Sequence, residues 1–323
     1  MTDSALTPAA TLPALAQGAP LPLDRHPAAV YLASLADGPG RASMRSTLAQ
    51  VARMLGTTIE ACPWHSLRFA HVAALRTQLA EQYAPATANK YLSAIRQVCR
   101  QAWLLGLMDG EDYHRAAAVG NVKGSRLPAG RALDAGELQA LFGACSDGTA
   151  AGARDAAAFA MMFGCGLRRA EAIAATLVDY DPESGAIRIV GKGNRERQVY
   201  ATNGGKRALD AWIAVRGDAP GPILCPVRKG ATGQPRPGSG MTAAAIVKRL
   251  ARRAKQAGIG ECSPHDLRRS FVSAALEGGA DIAMVQRLAG HASPVTTARY
   301  DRRPEHAAAM AARVVHVPFA DGR

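Results

Sequence analysis

The chain has 323 residues, enough for two domains of ordinary size, each with its own core. A net charge of +13 favours a partner of opposite sign, nucleic acid being the usual one, although a basic surface can also serve solubility alone. Six scattered cysteines without a Cys-x-x-Cys pair, no basic residue before Arg25, and no apolar run near the roughly 20 residues that span a bilayer argue against a disulfide framework, a zinc knuckle, a secretory leader and a membrane partner; a cytoplasmic protein is expected.

Residues 1–25 are rich in Ala, Pro, Leu and Thr and hold no sustained period, so a flexible tail is expected there. From Pro27 the pattern turns helical, with Met44, Leu48, Val51 and Leu55 at spacings of four and three. Further helices are predicted over 67–82 and 85–105. The second carries Tyr91, Ile95 and Val98 on one side and leaves Lys90, Arg96 and Arg100 for an exposed face. Singly these three read as solvated surface; as a set in a basic protein they are candidate phosphate contacts. The stretch 121–131, with Lys123 and Arg126 among Gly and Pro, breaks every period and reads as an interdomain linker whose charges can follow a DNA backbone. The expected division is therefore a tail over 1–25, a helical domain over 26–120, a basic linker over 121–132, a second domain over 133–314 and a C-terminal tail over 315–323.

Beyond the linker, Asp134 is placed to cap a helix reaching about Cys145, with Glu137 completing a capping box. Another helix is predicted over 151–163. The β-branched runs 186–190 and 198–201 flank a Gly-rich charged turn and read as a hairpin with Lys192 at its tip. Segment 227–240, with Arg228, Lys229 and Arg236, reads as a mobile basic loop. The remainder reads as helical, broken at Gly278-Gly279 and Gly290, without internal repeats. The fold class is mainly α with a small antiparallel β-sheet.

Several chemistry-bearing residues stand in short motifs along the second domain. Arg168 lies in Gly166-Leu167-Arg168-Arg169-Ala170-Glu171, Lys192 in Gly191-Lys192-Gly193-Asn194-Arg195-Glu196-Arg197, and His265 with Arg268 in Pro264-His265-Asp266-Leu267-Arg268-Arg269; Gly290-His291 and then Tyr300 follow. Two arginines, a lysine and two histidines around a phenol can attack a phosphodiester without a metal. Tyrosine, with an ordinary pKa of about 10, needs nearby positive charge and a proton acceptor. Arginine forks hold the non-bridging oxygens bidentately and stay charged. His265 and Arg268, three apart, share a helix face, so one can exchange a proton while the other clamps phosphate. Lys192 can protonate a leaving 5′-oxygen, His291 can add a hydrogen bond, and Glu171, a turn after Arg168, can orient that arginine. Each residue alone has a plainer reading: a surface arginine pair, a routine Gly-Lys-Gly turn, an ordinary helix start, a half-buried packing tyrosine. His265 and His291 lack a third ligand at zinc-binding spacing. The plainer readings lose force because five motifs occur in one order.

That order and context resemble the tyrosine recombinases, the tyrosine-type site-specific integrases. The resemblance implies catalytic roles for Arg168, Lys192, His265, Arg268, His291 and Tyr300, a supporting role for Glu171, and DNA contacts among Lys90, Arg96, Arg100, Lys123, Arg126, Arg228 and Lys229. It further implies a SAM-like helical DNA-binding domain and an α-rich catalytic domain closing as a C-shaped clamp on double-stranded DNA. Strands would exchange through a 3′-phosphotyrosine and a Holliday junction, with no cofactor, metal or ATP. Four protomers on two sites, and an accessory DNA-bending or directionality protein, are the partners implied, with Val317 and Phe319 of the C-terminal tail docking on a neighbouring protomer. The segments around Gly290-His291 and Tyr300-Asp301-Arg302-Arg303 look more like integrases of mobile elements than like Xer enzymes, and residues 1–25 leave no room for a lambda-type arm-binding domain. Ala289 and Arg169 depart from the pattern. A type IB topoisomerase and a catalytically silent DNA-binding regulator are the alternatives.

Overall fold

The computed structural model describes residues 13, 15, 21–124, 130–191, 195–228, 233–290 and 297. The chain divides into two compact units, Met1–Pro128 and Ala129–Arg323.

The first unit is helical: α1 (Pro27–Ser34), α2 (Pro39–Met54), α3 (Phe69–Gln82), α4 (Pro85–Leu104) and α5 (Gly110–Ala117). Prolines open α1, α2 and α4, where the missing N–H costs nothing and the fixed φ suits the first turn. Helix α4 is central and packs against each of the other four. Its residues Leu92, Ile95, Val98 and Cys99 recur at helical spacing and are fully buried with Leu48 and Val51 of α2 and Leu75 and Leu79 of α3. Trp64 fills the same core and its indole N–H donates to Ile59 O at 2.9 Å. It belongs to a 3₁₀ turn, Trp64–Ser66, which delays the start of α3 relative to the sequence reading. The exposed face predicted for α4 holds for Lys90 and Arg100 and not for Arg96. Arg96 is half-buried because its guanidinium donates to Val119 O at 2.6 Å and Asn121 Oδ1 at 3.0 Å, pinning the end of the unit.

The second unit contains α6 (Ala135–Gly143), α7 (Ala150–Phe163), α8 (Arg169–Ala174), the strands β1 (Ala186–Gly191) and β2 (Arg195–Tyr200), then α9 (Asn203–Arg216), α10 (Ala243–Gln256), α11 (Pro264–Glu277) and α12 (Ile282–Ala289). The capping box expected at Asp134 is present: Asp134 Oδ1 accepts from Glu137 N–H at 2.8 Å and Glu137 Oε2 from Asp134 N–H at 3.2 Å. The strands pair antiparallel, with Ala186 opposite Tyr200 and Gly191 opposite Arg195. Helix α7 lies at the centre of this unit, buried along most of its length and packed on α9 and α11. Phe159, Met162, Leu167, Ile187, Val199, Trp212 and Leu267 close the core. The segment read as a mobile basic loop is paired at its base: Val227 bridges Pro235, Arg228 N–H donates to Gln234 O, and Arg236 N–H donates to Pro226 O, both at 2.9 Å. Residues 229–232 lie outside the described residues.

The described part of the molecule is thus mainly helical with a two-stranded antiparallel sheet. No helix among the described residues is long and apolar enough to cross a membrane.

Candidate active site

Helix α11 begins with Ser263 as N-cap. Its hydroxyl accepts from Asp266 N–H at 3.3 Å, while Asp266 Oδ2 accepts from Ser263 N–H at 2.9 Å and from its hydroxyl at 2.7 Å. The other Asp266 oxygen accepts from Arg131 N–H at 3.0 Å, which ties the start of the unit to this helix start. The box fixes His265 in the first turn, where it is exposed, and puts Arg268 in the next turn, where it is buried. Partial desolvation and the positive fields of Arg269 and Arg268 push the His265 imidazole below its ordinary pKa of 6.5; Arg168 adds to the effect and Asp266 opposes it. The ring is therefore mainly neutral near pH 7.

Arg268 reaches back across the fold, donating from Nη1 to Gly166 O and from Nη2 to Ala289 O. Gly166 has φ +66°, and a Cβ there would lie 2.4 Å from the Phe271 ring, so the turn before Arg168 accepts no larger residue. Arg168 is itself the N-cap of α8. Its N–H donates to Glu171 Oε2 at 2.8 Å, Nη1 to Glu171 Oε1 at 2.8 Å and Nη2 to Gly290 O at 2.5 Å. The Glu171–Arg168 pair expected from the sequence is thus present.

Glu171 is buried and has a second arginine partner, Arg197 of β2. Arg197 donates from Nη1 to Oε1 at 3.0 Å, from Nη2 to Oε2 at 2.7 Å, and from Nε to Leu288 O at 3.0 Å. Burial works to raise the Glu171 carboxyl, but the hydrogen bonds and charge of Arg197 and Arg168 overcome it and hold the group at about 2. The carbonyls of Leu288, Ala289 and Gly290 therefore each receive an arginine: Arg197, Arg268 and Arg168 in turn. These carbonyls are the orphan acceptors at the end of α12, where the helix dipole favours cations. Gly290 closes the helix in the left-handed conformation, φ 64° and ψ 41°.

The fold thus gathers Arg168, Glu171 and Arg268 at the end of α12, one residue before His291, with His265 in electrostatic reach. Lys192, His291 and Tyr300 lie outside the described residues, as do Arg126 and Lys229. Lys90, Arg100, Lys123 and Arg228 are exposed. Arg197 received no role from the sequence. The available signal was strand alternation: Arg197 shares the inward face with buried Val199, and a charge there requires a partner.

Comparison with known proteins agrees on the class. The solved structure of a lambda integrase dimer bound to a COC′ core site superposes with a TM-score of 0.63 at 16% identity, covering 86% of this chain and 93% of that one. The Tn1549 transposon integrase in complex with transposon right end DNA gives 0.64 at 16% identity, over 89% and 99%. A lambda integrase tetramer bound to a Holliday junction gives 0.61 at 16%, over 84% and 76%. The fold is that of the tyrosine recombinases. The phage integrase family model matches residues 131–306. The tyrosine recombinase XerC of Pseudomonas aeruginosa is 32% identical over 242 residues, 73% of this chain and 75% of the relative. That of Chromohalobacter salexigens is 36% identical over 176 residues, 53% of this chain and 56% of the relative. The chain belongs to the phage integrase family of tyrosine recombinases, whose activity is site-specific DNA recombination.

Proposed function

We propose that this chain cleaves and rejoins double-stranded DNA through a 3′-phosphotyrosine intermediate with Tyr300 as nucleophile. The observation that carries the reading is the convergence of Arg168 and Arg268 on the adjacent carbonyls of Gly290 and Ala289, directly before His291. Residues far apart in sequence bring two guanidinium forks to one spot, and the acceptors they hold there are of the kind that non-bridging phosphate oxygens offer.

In this reading the Tyr300 oxygen attacks phosphorus and the bond from phosphorus to the 5′-oxygen breaks. The phenolic proton passes to His265, whose ring is mainly neutral near pH 7 and so has a nitrogen open to accept it. Lys192 protonates the leaving 5′-oxygen, Arg168 and Arg268 hold the non-bridging oxygens, and His291 adds a hydrogen bond. The phosphotyrosine keeps the energy of the broken linkage. A 5′-hydroxyl from a partner duplex then reverses the step without metal or ATP, and four protomers on two sites exchange strands through a Holliday junction. The lambda integrase tetramer on such a junction supports the assembly by likeness of fold. Residues 133–314 form the catalytic domain, and residues 26–120 bind the duplex with contacts from Lys90 and Arg100. The linker residues Lys123 and Arg126, with Arg228 and Lys229, add backbone contacts. Arg96 is left out of this set because Val119 and Asn121 engage its guanidinium.

Within the family we propose an integrase of a mobile element, on the run around Gly290-His291 and Tyr300. The relatives named XerC favour a second reading, a Xer-type recombinase. The test of the chemistry is a denaturing gel of wild-type and Tyr300→Phe protein incubated without metal with labelled duplex from the flanks of its own gene. A protease-sensitive, detergent-resistant adduct is expected in wild type alone. A native gel shift with no adduct from wild type would instead indicate a silent DNA-binding regulator.

A further inference from the structure

Arg197 has no place in the chemistry above, yet its guanidinium is where three elements meet. From β2 it contacts Glu171 of α8 through both terminal nitrogens and Leu288 of α12 through Nε. Glu171 also receives two donors from Arg168, its N–H and Nη1. Four donors on two carboxylate oxygens fill its acceptor sites and fix its rotation. Arg168 consequently spends one terminal nitrogen on Glu171 and keeps the other on Gly290 O, facing the end of α12. Without Arg197 the carboxylate is free to turn and take Arg168 as a fork-to-fork pair, which would draw the guanidinium back toward α8.

Gly290, whose left-handed conformation already favours glycine, also lies close against the same guanidinium. A Cβ at this position would lie 3.0 Å from Arg197 Cζ and Nη1 and 3.2 Å from Nε, so a larger residue there would press on the guanidinium and make it give by a few tenths of an ångström. The end of α12 and the Arg197 fork are shaped to each other.

We propose that Arg197 is a positioning residue for strand cleavage. Through Glu171 it sets the fork of Arg168, and through Leu288 and Gly290 it sets the backbone that leads into His291. The proposal rests on the recombinase reading, in which Arg168 clamps the scissile phosphate.

The test compares two duplexes of the cleaved sequence, one with an ordinary scissile phosphodiester and one with a methylphosphonate there, which carries no charge on its non-bridging oxygen. Arg197→Ala is expected to slow single-turnover cleavage of the phosphodiester by about 10- to 100-fold while DNA affinity stays within about threefold of wild type. On the methylphosphonate, where Arg168 has less charge to clamp, the rate loss is expected to shrink to about threefold or less. Arg197→Lys keeps a charge beside Glu171 but cannot bridge both oxygens and Leu288. It should fall between, and it carries the comparison if the alanine variant does not fold. Equal losses on both duplexes, or full activity on the phosphodiester, overturn the positioning role while the wild-type adduct leaves the recombinase reading standing. A wild type that forms no adduct on any duplex removes that reading and the role of Arg197 together.

Discussion

Glu171 stands at a balance of opposing terms. Its side chain is buried, which disfavours the carboxylate, yet Arg197 and Arg168 hold the group at about 2 against an ordinary 4.5. The folded-state pKa is depressed, so the stabilisation is fully present above 4.5 and is lost as the pH falls through about 2. A displacement of this size corresponds to roughly 3 kcal/mol. Glu171→Gln should lower the urea stability of the second unit at pH 7 by that order. The gap to wild type should close as the pH is taken down through the same window. A gap that stays constant with pH would mean that shape, and not charge, is what Glu171 contributes.

At the scale of elements, α10 is held to α7 by a buried ionic cluster. Asp155 of α7 is 1% exposed and accepts from Arg154 at 2.7 Å, from Arg249 at 2.7 Å and from Arg253 at 2.9 Å. Arg253 continues to Ala144 O and Asp147 Oδ2, tying in the end of α6. Burial opposes the ionised Asp155, and the hydrogen bonds and charges of Arg249, Arg154 and Arg253 bring its pKa below the ordinary value. Asp155→Asn takes this counter-ion from buried Arg154 and half-buried Arg249, leaves Arg253 with Asp147, and should cost about 3–5 kcal/mol in a urea melt; a loss under about 1 kcal/mol would show the cluster to be solvated. Little of this was legible in the sequence. The long helices were, because apolar spacing, opening prolines and the Asp134–Glu137 box all agree locally. The missed elements are those whose local signal is weak. Helix α5 buries one residue, Ala116, and α9 opens on Asn203-Gly204-Gly205, poor helix formers overruled by the packing of Leu209 and Trp212. The candidate site divides the same way. Arg168, Glu171, His265 and Arg268 were visible as motifs with fixed neighbours. The bond from Arg197 to Glu171 spans 26 positions between a strand and a helix, and only the tertiary fold creates it.

For the whole molecule the deciding quantities are the division into two units and the distribution of charge. Residues 1–128 carry a net +4 and residues 129–323 a net +9, so both units are attracted to phosphate, the second more strongly. Each also has its own buried core, Leu48, Trp64 and Ile95 in one and Phe159, Leu167 and Trp212 in the other. Separate fragments 1–128 and 129–323 should therefore each melt cooperatively. If both units contact one duplex, joining them makes the second contact intramolecular. The intact chain should then bind its site about 10²- to 10⁴-fold more tightly than either fragment. The logarithm of affinity against the logarithm of salt should fall with a slope near the sum of the fragments' slopes, each phosphate contact adding about −0.9. Fluorescence anisotropy of one labelled duplex across a salt series checks both. If fragment 129–323 alone reproduces the affinity and slope of the intact chain, the helical unit is not a DNA contact, and Lys90 and Arg100 return to being ordinary solvated surface.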